Sequence, residues 1–182
     1  MNERKKQLII YLVWLLPALV IVFFLLWKNL VPSGHLFVNY NFKPNPFSRG
    51  FEPSTRVEPI KCAEICTQNI YEDPTYISVL MPQSFESVII TLDFQSDKSD
   101  EIKFGVRTAS GWQYSLAPLE ITFQNNDLLR GKARLDLSEA YLIDGKVNFM
   151  LSAPWLKDSS ESLTITNISF DWQKKSWLDY VK

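Results

Sequence analysis

Two hydrophobic textures divide the chain. From Leu8 to Trp27 the sequence LIIYLVWLLPALVIVFFLLW is an uncharged apolar run of 20 residues, long enough for a helix to cross about 30 Å of hydrocarbon. It has no polar stripe, which a core helix of a soluble domain would keep. Pro17 near its middle is tolerated in a membrane helix as a kink. Beyond Gly34 the run gives way to short segments rich in β-branched and aromatic residues, separated by Pro, Gly, Asn, Asp and Ser, which is the punctuation of strands and turns.

Within this second part, Val88, Ile90, Leu92 and Phe94 alternate with Ile89, Thr91 and Asp93, and Ile102, Phe104 and Val106 alternate with Lys103 and Gly105. Both stretches fit strands with one buried face. The polar stretch Gln95–Asp100 between them predicts a hairpin. Further strands are expected at His35–Tyr40, Tyr76–Met81, Leu119–Phe123, Ala133–Leu137, Lys146–Leu151 and Leu163–Trp172. In the last, Leu163 and Ile165 share one phase whereas Ile168, Phe170 and Trp172 share the other, so a β-bulge or bend is expected at Thr166-Asn167. Four prolines (Pro44, Pro46, Pro53, Pro59) make Phe42–Lys61 a long irregular loop or edge segment.

These patterns predict an all-β fold, a two-sheet antiparallel sandwich preceded by one transmembrane α-helix. The expected organisation is a cytoplasmic N-terminus over 1–7, the membrane helix over 8–27, a linker over 28–34, the sandwich over 35–173, and a short C-terminal helix or tail over 174–182. Arg4, Lys5 and Lys6 precede the helix and only Lys28 follows it, which places the N-terminus in the cytoplasm and the domain outside. No small-residue cleavage site follows Trp27, so the expectation is an uncleaved signal anchor in contact with membrane lipid. The aromatic tail Trp177, Leu178, Tyr180 and Val181 either docks on the sandwich or lies on the outer membrane surface.

Charge narrows the partners. The chain has 19 basic and 20 acidic residues, and setting aside Arg4, Lys5, Lys6, Lys28 and Glu3 leaves 15 against 19 in the domain. No basic field is present to hold nucleic acid. Cys62 and Cys66 are the only cysteines, and read either as a local disulfide or as two buried thiols. Catalysis has little material: His35 is the sole histidine, so a nucleophile would lack its usual base, and Asp93, Glu101, Glu120 and Asp136 read as solvated acids rather than a glycosidase pair. The six glycines are scattered singly, without a phosphate-binding loop. The domain is therefore expected not to be an enzyme and to need no cofactor. Structural calcium would have to come from Asp97, Asp100 and Glu101, which read more simply as a solvated loop.

Binding has better candidates. Trp112 and Tyr114 alternate, placing two rings on one side of a strand, with Arg107 and Arg130 as planar hydrogen-bond forks. Core packing is the commoner fate of a sandwich tryptophan, and both readings of Trp112 stand. Trp155, beside a polar loop, and Phe47 and Phe51 with Arg49, in the proline-rich loop, are further exposed-ring candidates.

The strands Tyr76–Met81 with Pro82–Val88, Ile102–Val106 and Ile165–Phe170 together resemble parts of a jelly-roll sandwich of the galactose-binding-like and carbohydrate-binding-module type, and also bacterial membrane-anchored proteins of the same texture. Jelly rolls of this kind host lectins, enzyme accessory modules and structural domains alike. The anchor, the sandwich and the missing catalytic set together lead to the expectation of a non-catalytic recognition domain for an envelope glycan or an extracytoplasmic protein. The alternative is a structural subunit of a membrane or envelope complex.

Overall fold

The structure, a computed structural model, describes residues 3–27, 35–43, 45–81, 85–96, 98, 101–108, 112–125, 128–157 and 161–174. The linker 28–34, the calcium candidates Asp97 and Asp100, and the aromatic tail 175–182 lie outside them. The chain forms two compact units, Met1–Pro32 and Ser33–Lys182.

The first unit is helix α1, Glu3–Trp27, 25 residues with Pro17 inside, about 37 Å at 1.5 Å per residue. Its described large apolar side chains are all at least half exposed, from Phe24 at 50% to Trp14 at 76%. No stretch among the described residues is long and apolar enough to cross a membrane. In α1 the described side chains are Tyr11 and Val13–Phe24 alone, whereas the sequence of the whole helix holds the longer uncharged run.

The second unit is an all-β sandwich of strands β1 (His35–Tyr40), β2 (Lys61–Cys62), β3 (Cys66–Ile70), β4 (Thr75–Leu80), β5 (Ser87–Gln95), β6 (Lys103–Arg107), β7 (Tyr114–Pro118), β8 (Glu120–Asn125), β9 (Leu128–Asp136), β10 (Leu142–Ile143), β11 (Lys146–Ser152) and β12 (Leu163–Gln173), with one 3-10 turn at Pro154–Lys157. The back sheet runs β2-β3-β12-β5-β9-β8, with β1 also on β12; the front sheet runs β10-β11-β6-β7, with β4 also on β11. Every strand pair is antiparallel. β12 is long enough for two partners on one flank: β3 lies along Leu163–Ile165 and β1 along Ile168–Gln173.

The expected slip in β12 is a register shift against β5 between Ile165 and Asn167. Thr166 is the extra residue, and its hydroxyl donates to the Asp93 carbonyl at 3.1 Å. The bulge lets Leu163, Ile165, Ile168, Phe170 and Trp172 all point inward, each 0% exposed. A regular strand would have turned one group out to solvent. Phe149 of the front sheet meets Phe170 and Trp172 of the back sheet at ring-centroid distances of 5.4 and 5.8 Å. This trio knits the two sheets together, each ring worth about 2–3 kcal/mol of burial.

One pairing differs from expectation. β5 pairs with β12 and β9, whereas β6 pairs with β11 and β7. The polar connection after Gln95 therefore carries the chain from the back sheet to the front sheet and does not close a hairpin. Alternation reports that each strand buries one face, which is equally true of neighbours in one sheet and of strands facing each other across a core.

The proline-rich segment is irregular, as expected, but it is tied down. It makes isolated bridges Ser48 to Val79, Glu52 to Tyr76 and Val57 to Ile70. Gln68, 4% exposed, accepts from the Phe51 N–H at 2.8 Å and donates to the Phe51 and Glu58 carbonyls, both at 3.2 Å. Phe51 is a core residue at 3% exposure, not the free ring expected of this loop, because those bonds draw its backbone onto β3. Phe47 keeps 37% of its surface.

Candidate functional site

On the front sheet, Ile77, Val79, Phe104, Val106, Val147, Phe149 and Leu151 point into the core, so the intervening residues form the outer face. These include Tyr76 and Ser78 of β4, Asn148 and Met150 of β11, Gly105 and Arg107 of β6, and Tyr114 and Leu116 of β7, with Tyr76 opposite Met150, Met150 opposite Gly105, and Arg107 opposite Tyr114. Gly105 matters because it has no side chain. A Cβ there would lie 2.7 Å from Leu116 Cδ2 and 3.3 Å from Tyr114 Cβ, so its absence lets the neighbouring side chains settle against the sheet.

Above Gly105 the rings of Tyr76 and Tyr114 stand 5.9 Å apart, inclined at 35°. Trp112 extends the group, 5.8 Å from Tyr76 and inclined at 53°. Trp112 is 74% exposed. Core packing, its commoner fate, is thus ruled out for this tryptophan, because it sits just before β7 begins, outside the sheet's inward phase. The Arg107 guanidinium lies between two rings, 5.2 Å from Trp112 and 5.4 Å from Tyr141. The Tyr141 N–H donates to the Arg107 carbonyl at 2.8 Å, and the Thr108 N–H to the Gln113 carbonyl at 3.0 Å. These bonds hold both flanks of the cluster, and contact with a guanidinium presents each ring at a defined tilt.

Beyond the rings the surface becomes polar. Tyr114 Oη donates to Asn148 Oδ1, and Asn148 Nδ2 to Ser78 Oγ, both at a long 3.5 Å. Burial raises the Tyr114 phenol above its ordinary range, Tyr76 adds to the rise, and Arg107 partly opposes it; it is a neutral hydroxyl at physiological pH. Ser78 and Asn148 also line a cavity of about 360 Å³ whose other walls include Phe47, Arg49, Glu52 and Lys146. A continuous strip therefore runs from tilted rings to a polar pocket.

The expected site residues separate. Trp112, Tyr114 and Arg107 come together, but Arg130 is on β9 of the back sheet, on the opposite outer face, where it grips Asp93. Trp155 is half-buried in the turn Pro154–Lys157 and stands outside the strip. Tyr76, Asn148 and Tyr141 were not singled out from the sequence, although Tyr76 stands out of phase with Ile77 and Val79, which is the signal of an outward ring. Cys62 and Cys66 are joined by a disulfide across the β2–β3 hairpin, Cα atoms 4.0 Å apart.

Of the acids, Asp93 is occupied by Arg130 and Asp136 accepts from the Ser138 N–H at 2.9 Å; Glu101 and Glu120 are exposed. His35 lies at the start of β1 with Nδ1 3.4 Å from Asp171 Oδ1. Among the described residues no three His, Cys, Asp or Glu side chains gather where they could hold a metal ion.

No family model and no curated protein matches the chain. Among solved structures it is similar to the CBM22-1 xylan-binding domain of Paenibacillus barcinonensis Xyn10C, at 11% identity and a TM-score of 0.48, with 76% of this chain and 94% of that chain covered.

Proposed function

We propose that the sandwich is a non-catalytic recognition domain for a single glycan chain, held outside the cytoplasm by α1 as a signal anchor. The observation that carries the glycan reading is Trp112, a 74% exposed indole braced by Arg107 and Tyr76 and continuous with a polar pocket. A large ring held in place yet open to solvent costs apolar exposure that folding alone does not require. Rings suit the apolar faces of sugars, and Asn148, Ser78 and Lys146 suit their hydroxyls. The inclinations of 53° and 35° between successive rings fit a twisted, isolated chain better than a flat crystalline surface. Support for the anchor comes from the uncharged run in α1 with Arg4, Lys5 and Lys6 before it, and a disulfide accords with an oxidising compartment.

The test uses the full-length protein in detergent micelles, titrated calorimetrically with neutral oligosaccharides. Binding should be present and should fall at least about tenfold with Trp112→Ala, a loss typical of an anchoring aromatic. Retention of full affinity by a folded Trp112→Ala protein would sink the reading. Protease added to intact cells should reach the sandwich but not the N-terminus, and the opposite pattern would refute the orientation.

A further inference from the structure

The back sheet has its own groove, about 530 Å³ in volume, across strands β1, β12, β5, β9 and β8. Its rims include two exposed rings, Phe37 of β1 at 64% and Phe123 of β8 at 50%. Its floor is polar: Asn39, Ser169, Thr91 and Lys132 stand in one cross-strand row, and Asn167, Asp93, Arg130 and Phe123 in the next. Asp93 is 7% exposed and accepts from Arg130 Nε at 2.5 Å and Nη2 at 2.9 Å. One guanidinium thus engages both carboxylate oxygens. A guanidinium has five N–H donors, so about three remain, on a side chain 49% exposed. Lys132 adds an exposed ammonium, and although Glu120 stands opposite it on β8, no ion pair joins them. Among the groove's lining residues Arg130 is neutralised by Asp93 and Lys132 adds one positive charge, while the Glu120 carboxylate lies just outside the lining.

We propose that this groove is a second ligand site, specific for an acidic oligosaccharide whose anionic group meets Lys132 and the outer edge of Arg130 while its chain spans the four strand spacings, about 19 Å, from Phe37 to Phe123. The floor is rich in donors, so it calls for a ligand rich in acceptors, and an Arg fork beside a lysine favours a carboxylate or sulfate. A peptide fits less well. The groove crosses the strands, whose interior members already pair with neighbours on both sides, whereas extended peptides dock by adding to a free sheet edge. The site extends the glycan reading to a second face and does not depend on Trp112, so the two stand or fall separately. Together they would make the domain bivalent, one face for a neutral segment and one for a charged one.

The full-length protein in detergent is titrated with oligogalacturonate, a sulfated glycosaminoglycan fragment and a neutral oligosaccharide. Binding of either acidic ligand supports the proposal, and preference between them identifies carboxylate or sulfate as the anion. Affinity should fall about tenfold with Lys132→Ala, the size of a lost charged hydrogen bond. It should also fall with Arg130→Lys, weaken as salt rises, and be unchanged in Trp112→Ala. Lys132 is exposed, so Lys132→Ala should fold normally. Failure of the wild type to bind any acidic ligand while still binding the neutral one would overturn this site and leave the Trp112 strip standing. Acidic binding that ignores Lys132→Ala, or disappears in Trp112→Ala, would also overturn it.

Discussion

Replacing Arg130 by alanine strands a carboxylate, and the size of the penalty can be worked from its surroundings. Asp93 is 7% exposed and receives two short donors from Arg130, at 2.5 and 2.9 Å. The remaining side-chain donor, Asn167 Nδ2, is at a long 3.5 Å. Removing one partner of a fully buried pair costs about 3–5 kcal/mol. The Arg130 side chain is 49% exposed, so water already screens the pair and reaches the vacated side, reducing the expected loss to about 2 kcal/mol. In a unit of 150 residues, Ser33–Lys182, this lowers Tm by about 6 °C. The reverse change, Asp93→Asn, leaves a half-exposed guanidinium free to hydrate and an amide of the same shape in place, and should cost about 1 kcal/mol. The double variant should melt above Arg130→Ala alone, because a buried neutral amide needs less solvation than a carboxylate. Thermal melts of the full-length protein in detergent, followed by near-ultraviolet circular dichroism, measure all three. If Asp93→Asn costs as much as Arg130→Ala, or the double variant melts lowest, the reasoning is wrong.

Four further outcomes are expected. Gly131→Ala should cost about 2 kcal/mol, because its Cβ would meet Leu119 Cγ at 2.5 Å and Leu119 is buried. Gly105→Ala should cost less than about 1 kcal/mol, because Leu116 is half exposed and can swing away, yet it should weaken glycan binding by disturbing Tyr114; melts and titrations separate these effects. Deleting Thr166 should abolish folding, since straightening β12 turns one of its two inward groups to solvent; a soluble variant with native near-ultraviolet dichroism would contradict this. Reducing Cys62–Cys66 releases a closed loop of about five residues, worth about 2 kcal/mol at most, so Tm should shift by only a few degrees while protease sensitivity rises at the exposed Ala63-Glu64-Ile65 turn.

What the sequence made legible was the inward face. Alternation marks β5, β6 and β11 because burial selects apolar residues every second position, and a break in that rhythm marks the bulge of β12. Pairing was hidden, as the β5–β6 connection shows, because the same rhythm serves both sheets. Outward features were harder still. Arg130 stands out as a planar hydrogen-bond fork, but its partner Asp93 is 37 residues away and looks like an ordinary solvated acid. The groove draws Phe37, Thr91 with Asp93, Arg130 and Asn167 from four separate strands, and no local pattern links the four. Trp112 illustrates the converse: composition argues that a tryptophan in a sandwich is core, whereas its position just ahead of a strand decides that it is not.

β12 has a consequence for how the protein is made. It pairs with β1, β3 and β5 and supplies Ile165, Ile168, Phe170 and Trp172 to the interior, yet it is the last strand among the described residues. Its contacts with β1 join His35 to Gln173, so closing the back sheet waits until the chain has been synthesised through Gln173. Chains that stop before Leu163 leave β1, β3 and one side of β5 without their shared partner, with open edges suited to aggregation and degradation. Such dependence on distant pairings makes folding slow, and any handling of the nascent chain by chaperones would fall in the interval before β12 emerges.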